Sequence, residues 1–365
     1  MKILITGIHG FVGSNLVAAL KEHHTIYGLD IISPEKEGIQ KTYGWNELDQ
    51  IPQTDVIIHL AGKAHDTKNT SAAKDYFAIN VGLTQKIFQY FIHSGAKKFI
   101  FFSSVKAVAD QVKGAELTEE EIPDPQTPYG QSKLEAERYI ENWKSEDRRQ
   151  KSEDRRQKME VGSQKSEGPL PEREAVEGRS SQSQSPNLEP ETWNLEPELR
   201  IPNSELQTIF ILRPCMIHGP GNKGNLNLLY SLQKKGLPWP LGAFKDKRSF
   251  CSVDNLKFVI QQIIEKPVEP GIYQVADDEA LSTNDVIRMM ADTRNKKARI
   301  WSIPEQGIRF AARAGDILHL PLNSERLRKL TESYVVSNQK IKNALGIMKM
   351  PVSATEGLKK TLESF

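Results

Sequence analysis

The segment "TPYGQSK" sets Tyr129 four residues before Lys133, which on a helix puts the two side chains one turn apart on the same face. A free tyrosine ionises near pH 10, so at pH 7 only about one phenol in a thousand is a phenolate. An ammonium beside it favours the anion, and bringing the phenol close to neutrality corresponds to about 4 kcal/mol. Tyr129 then becomes a general base for a substrate hydroxyl whose carbon loses a hydride. Upstream, the apolar run "FIFFSSVKA" ends in Ser103 and Ser104. A hydroxyl there can hydrogen-bond the reacting oxygen and relay its proton, provided the strand delivers it to the sheet edge where ligands of open α/β folds bind.

Hydride chemistry needs a carrier and a frame to hold it. Between "KILI" and "LVAALKEHH" the stretch "TGIHGFVGSN" places Gly7, Gly10 and Gly13 three apart, at the join of a strand and a helix. Such a loop lets backbone N–H groups approach a pyrophosphate while the helix N-terminus adds favourable partial charge. Asp30 ends the next strand, "TIYGLD", 17 residues beyond Gly13. A carboxylate at that point accepts from both adenosine ribose hydroxyls and repels a 2′-phosphate, which selects NAD(H) over NADP(H). The positive nicotinamide ring would add to Lys133 in favouring the phenolate, and Lys133 would hold the nicotinamide ribose. Helical patterns from Ser14, near 72–93 and near 129–143 alternate with the apolar runs "DVIIHLAG" and "KKFIFFSS". That alternation predicts an α/β fold, a Rossmann-type doubly wound parallel sheet covered on both faces.

Composition narrows the remainder. The 365 residues carry a net charge of +2 with both signs interspersed, which gives no nucleic-acid footprint and no membrane-surface patch. No apolar stretch reaches membrane-spanning length. Two cysteines, Cys215 and Cys251, make no disulfide framework and fit a reducing cytoplasm, and the eight histidines show no metal-ligand spacing, so no metal is expected. From Lys144 to Leu206 the pattern breaks. "KSEDRRQ" occurs twice in tandem and "NLEPETW" is followed by "NLEPELR", in a stretch without Phe or Tyr. This reads as a disordered insertion that divides the chain into an NAD-binding first part (1–143), the insertion (144–206) and the last core strands with a smaller C-terminal substrate-binding lobe (207–365). Loop-closure entropy grows only logarithmically, about 2 kcal/mol for a tenfold longer loop, so a surface loop tolerates it. The later stretch "IRFAARAGDILHLPL" has helical periodicity and is expected to face the core of that lobe.

Taken together, "TGIHGFVG", "HLAG", "FFSS", "YGQSK", "RPCMIHGPGNKGN" and "RSFCSVDNL" resemble the extended short-chain dehydrogenase/reductases. Within these the sequence is similar to the NAD-dependent epimerase/dehydratase family of nucleotide sugars, over everything but the insertion. The resemblance implies that Gly7, Gly10, Phe11, Val12 and Gly13 line the pyrophosphate, Asp30 the ribose, and Ala61 and Gly62 the cofactor's border. It implies Ser104, Tyr129 and Lys133 as the catalytic set and Arg248 on the substrate pyrophosphate. A homodimer through the helices near 80–93 and 129–143 is also implied, in the cytoplasm. His218 stands where such sequences carry Tyr, and Val108 and Ala109 replace a Tyr-Gly pair. "SSVKA" lacks the Asp-Glu pair that the 4,6-dehydratases use, which disfavours dehydration. The expected reaction is 4-epimerisation of a UDP-hexose or UDP-N-acetylhexosamine; the alternatives are a nucleotide 4-keto-sugar reductase and a non-catalytic NAD-binding sensor or scaffold.

Overall fold

A computed structural model of the chain describes residues 1–64, 72–145, 207–222, 225–318 and 323–365. Met1–Arg138 with Asn203–Phe365 form one compact unit, and Tyr139–Pro202 a second. The insertion expected over 144–206 lies outside the described residues, apart from 144 and 145, which still belong to a helix.

The first unit is organised by a seven-stranded sheet. Its strands are β1 (Lys2–Thr6), β2 (Thr25–Leu29), β3 (Lys41–Tyr43), β4 (Val56–His59), β5 (Lys98–Phe102), β6 (Thr208–Pro214) and β9 (Ile272–Val275). They run in the order β3-β2-β1-β4-β5-β6-β9, and every pairing is parallel. The order reverses beside β1, where chain leaves in one direction to β2 and in the other to β4; ligands of such sheets bind there, at the carboxyl ends. Strands covered on both faces read as continuous apolar runs, and β4 and all but the first residue of β1 are buried. On one face, Leu16, Val17 and Leu20 of α1 (Phe11–Leu20) share a core with Leu256, Val259, Ile260 and Ile263 of α5 (Val253–Glu265). On the other, Phe88 and Phe91 of α2 (Ala73–Ser94) meet Phe99 of β5 with ring centroids 5.2 and 5.1 Å away.

Helix α3 covers 128–145. Pro128 opens it, where a missing N–H costs nothing, and Thr127 Oγ1 accepts the N–H of Gly130. Two residues past β6, a parallel pair joins β7 (Met216–His218) to β8 (Phe250–Ser252), and β8 runs directly into α5. Helices α4 (Asn225–Lys234), α6 (Thr283–Asp292), α7 (Glu305–Leu318), α8 (Ser324–Thr331), α9 (Gln339–Leu345) and α10 (Ala354–Glu363) complete the C-terminal part. Two small cores serve it, one around Leu226, Phe250, Ile287, Met290 and Leu358, the other around Leu241, Phe244, Ile308, Ala312 and Leu327.

Two expectations change. Helix α1 starts at Phe11 rather than Ser14, because Gly10 takes the N-cap position with extended backbone. The segment expected to turn its apolar face to the core does so in part only. In α7 the small residues Ala312 and Gly315 are buried with Ile308, while Phe310 and Ile317 are 76% and 78% exposed. Close packing of the helix on Leu241 and Phe244 favours small side chains on the inner face and leaves the bulky ones outside.

Candidate active site

The glycine loop is shaped by contacts that no side chain would survive. Gly7 adopts a left-handed conformation (φ +67°), and a Cβ there would stand 2.9 Å from the Ala61 nitrogen. A Cβ on Gly13 would lie 2.5 Å from the Ile8 carbonyl oxygen. Gly7 thus lets the end of β1 pass under the loop after β4, and Gly13 lets α1 pack against its own entry turn. The first turn of α1 has no side-chain cap and no acidic residue, so its N–H groups, which lack intrahelical acceptors, stay available to an anion. Phe11 and Val12 in that turn are half-buried, and the Phe11 ring reaches Gly219 and Gly221 of the loop after β7.

Asp30 follows β2 directly. Its Oδ2 accepts the His9 N–H at 3.0 Å and its Oδ1 the Ile31 N–H at 2.8 Å. Each oxygen keeps acceptor capacity, and the carboxylate is fixed beside the glycine loop. The residues therefore suit a dinucleotide: uncapped helix N–H groups for its diphosphate and an oriented carboxylate for a ribose diol.

The reacting groups come from β5 and α3. Ser104 caps the turn after β5, its Oγ accepting the Lys106 N–H at 3.2 Å, and its side chain lies near enough to the Tyr129 hydroxyl to influence its ionisation. Ser103 is buried too, but its hydroxyl has no partner among the described residues, so the structure distinguishes the two serines that sequence left equivalent. Gly130 is required next to the tyrosine, since a Cβ there would stand 2.3 Å from the Lys106 carbonyl oxygen. Lys133 is buried; its Nζ donates to the Phe102 carbonyl at 2.8 Å and lies 3.2 Å from where a Cβ on Gly62 would be. Ala61, Gly62 and Lys133 are in this way brought together where β4 and β5 end. Arg248 stands elsewhere, just before β8, pairing through its backbone with Leu281 and placing its Nε 3.9 Å from Asp246.

Burial dominates the electrostatics of the free protein here. It pushes the Tyr129 phenol up from its ordinary value; Ser104 acts in the opposite direction, and the neighbouring Tyr76 raises it further. Lys133 is not what lowers it. Burial holds that ammonium down at about 8, with Glu137 working against the drop, and its protons are directed to a backbone carbonyl.

Sequence reasoning missed a buried network behind these groups. His59, at the end of β4, bridges Thr6 Oγ1 at 2.6 Å and Thr84 Oγ1 at 3.0 Å. Thr84 already donates to the Asn80 carbonyl, so His59 Nε2 donates to Thr84 and Nδ1 accepts from Thr6. Burial keeps this imidazole neutral, well below its ordinary pKa. Asn80 clamps Lys63 through both its amide groups, at 2.8 and 3.1 Å, and donates to Ser132 Oγ at 2.9 Å, which in turn donates to the Tyr129 carbonyl. One side chain of α2 thus ties the loop at Gly62 to the helix carrying Tyr129 and Lys133. The readable signal was a polar pair, Asn80 and Thr84, on the stripe of α2 that also buries Val81, Ile87 and Phe88. One turn beyond Lys133, Glu137 receives Arg213 of β6 through two hydrogen bonds of 3.0 and 2.6 Å in a buried ion pair. His218 packs inside, hydrogen-bonded to Thr361, and both cysteines are buried and unpaired with thiols pushed up by burial. Among the described residues no helix is long and apolar enough to cross a membrane, and no cluster of ligating side chains could hold a metal ion.

The doubly wound parallel sheet, the glycine loop at its switch point and the placement of Ser104, Tyr129 and Lys133 at the neighbouring strand ends agree with the resemblance to extended short-chain dehydrogenase/reductases drawn from the sequence. Residues 3–150 match the model of the NAD dependent epimerase/dehydratase family. It is 26% identical to a UDP-glucose 4-epimerase of Vibrio cholerae, over 100% of this chain and 95% of that protein. It is 21% identical to the N-acetyl-α-D-glucosaminyl-diphospho-ditrans,octacis-undecaprenol 4-epimerase of Escherichia coli O157:H7, over 99% and 94%. Its fold matches the crystal structure of a UDP-glucuronic acid 4-epimerase from Bacillus cereus in complex with NAD, with a TM-score of 0.64 at 18% identity, covering 100% of this chain and 98% of that one.

Proposed function

We propose that the chain is an NAD-dependent 4-epimerase of a diphosphate-linked sugar, with UDP as the favoured carrier. The observation that carries this reading is the placement of Ser104 near the Tyr129 hydroxyl beside a glycine loop, with Lys133 buried against Gly62. The two full-length relatives, both named as 4-epimerases, support it. They differ in the carrier on the diphosphate, so a polyprenol carrier is the second reading.

In this reading the uncapped turn at Phe11, Val12 and Gly13 binds the cofactor diphosphate, and Asp30 accepts from its adenosine ribose. NAD supplies a hydride acceptor and donor at the sugar C4 and, when oxidised, a positive ring close to Tyr129. Tyr129 takes the O4 proton, Ser104 orients that oxygen, and Lys133 holds the nicotinamide ribose. The burial that raises the phenol in the free protein makes it hold a proton until cofactor charge is present, which couples proton abstraction to occupancy of the site. Arg248 meets the sugar diphosphate; a guanidinium fork suits phosphate oxygens on either carrier.

The test is incubation of the purified protein, without added cofactor, with UDP-hexoses, UDP-N-acetylhexosamines and a polyprenyl-diphospho-N-acetylhexosamine. Formation of a C4 epimer over many turnovers is expected. Failure with every sugar, together with reduction of a UDP-4-keto sugar at the expense of equimolar NADH, would replace the epimerase by a reductase.

A further inference from the structure

The whole-chain charge of +2 conceals a local excess. Four of the six residues from Arg294 to Arg299, just beyond α6, are Lys or Arg, and none is acidic. With the turn that ends α4 they enclose a cavity of about 620 Å³. Lys234, Arg294, Lys296, Lys297 and Arg299 line it, without a single Asp or Glu. The rest of the lining is largely apolar and includes Leu229, Leu232, Leu237 and Trp239; Leu232 and Leu237 are 41% and 55% exposed. Backbone bonds tie the two walls together, the Trp239 N–H to the Arg299 carbonyl and the Trp301 N–H to the Trp239 carbonyl, each at 2.8 Å. Cations near helix C-termini commonly serve the last carbonyls. That need is already met here by backbone. Gly236 (φ +74°) returns its N–H to the Gln233 carbonyl after α4, and after α6 Asn295 (φ +53°) and Lys296 donate to the Asp292 and Ala291 carbonyls at 2.9 and 3.0 Å. Ion pairs do not account for the cations either. Among the described residues Arg294 donates to Gln233 Oε1 at 3.0 Å, and none of the five has a salt bridge. Asp292 lines an adjoining depression together with Arg288 and Lys297. Like charges held this close repel one another, and a bound polyanion relieves the repulsion.

We propose that this cavity is a second nucleotide site, taking a nucleoside di- or triphosphate with its phosphates on the cations and its base on the apolar wall. The volume is that of a small-molecule site. Inorganic phosphate would match the charge and leave the leucines and the indole in water, whereas an acyl chain would cover the leucines and match few of the cations. The site is separate from the one given to the sugar diphosphate. Arg248 pairs through its backbone with Leu281, just before α6, and the cations stand beyond the other end of that helix, ten residues or about 15 Å further on. The proposal does not depend on the reaction assigned above.

Equilibrium dialysis of the full-length protein, saturated with NAD, against labelled UTP tests it. Two equivalents should bind to each chain, one at Arg248 and one in the cavity. Two double variants remove the two halves of the cavity site, Lys296→Glu with Lys297→Glu and Leu232→Ser with Leu237→Ser. All four side chains are exposed, so the fold should survive, which the thermal midpoint checks. Each double variant should weaken the cavity equivalent by about tenfold or more and leave the other in place. Arg248→Ala should do the reverse, so a failure of the sugar site is told apart from a failure of this one. A single equivalent that only Arg248→Ala weakens, or two equivalents bound equally by wild type and both double variants, would overturn the proposal. So would inorganic triphosphate displacing the cavity equivalent as effectively as unlabelled UTP, since the site would then read charge alone.

Discussion

Helices α3 and α7 are both amphipathic, and they use their two faces in opposite senses. In α3 the buried side carries Ser132, Lys133 and Glu137, polar groups that are costly to remove from water, each satisfied by a named partner: Asn80 and the Tyr129 carbonyl, the Phe102 carbonyl, and Arg213. In α7 the exposed side carries Phe310 and Ile317. Polar groups held inside and apolar groups left outside are the two departures from ordinary burial that report on function. In α3 the departure is compensated within the protein, which fixes the reacting groups in place. In α7 the small residues Ala312 and Gly315 face the lobe and leave the bulky ones outside.

The contrast can be broken at its strongest point first. Tyr129→Phe removes one hydroxyl whose interaction is with Ser104, so the fold should be unaffected while turnover drops by about a thousandfold. A small loss in steady-state assays, with the thermal midpoint unchanged, would mean that another group takes the proton. Glu137→Ala comes next, because it removes the two hydrogen bonds by which α3 holds the buried Arg213 guanidinium. A loss of about 3–5 kcal/mol in denaturant unfolding is expected. A loss below about 1 kcal/mol, the range of an exposed pair, would show that α3 is not held by this contact. Asp30→Ser sharpens the comparison at the glycine loop, where the carboxylate rather than the backbone selects the cofactor. Removing it should weaken NAD(H) by about tenfold to a hundredfold in titrations and shift relative preference towards NADP(H). A wild type that already prefers NADP(H) would contradict the role given to Asp30.

What the sequence revealed was local in its physics. Gly7 and Gly13 are demanded by the backbone of a single turn, Asp30 by the end of a single strand, and the Tyr129 to Lys133 interval by helical pitch; each could be read within a few residues. The network of Thr6, His59, Thr84 and Asn80 joins β1, β4 and α2, so its members looked like unrelated polar residues until the sheet order placed them side by side. How burial moves the Tyr129 pKa in the free protein was not legible for a similar reason. Spacing puts an ammonium one turn away, but burial and the Phe102 carbonyl, contributed by β5, decide what that ammonium does. For α7, periodicity disclosed a stripe without saying which side would be buried. Close approach of Leu241 and Phe244 settled it in favour of Ala312 and Gly315. The interspersed charge of the whole chain likewise hid the basic segment at 294–299, since an average over 365 residues cancels it.

The central claim is that the hydrogen removed from the sugar C4 returns to the same carbon, with Tyr129 handling the proton. Its most direct test follows a UDP-hexose carrying deuterium at C4 through the reaction, with protein in catalytic amount and no added cofactor, by mass spectrometry and absorbance. The account predicts that both C4 epimers retain the label at equilibrium, that no NADH accumulates, and that Tyr129→Phe leaves the starting sugar unconverted. Loss of deuterium from the sugar, or one NADH gained or spent for each sugar converted, would contradict it.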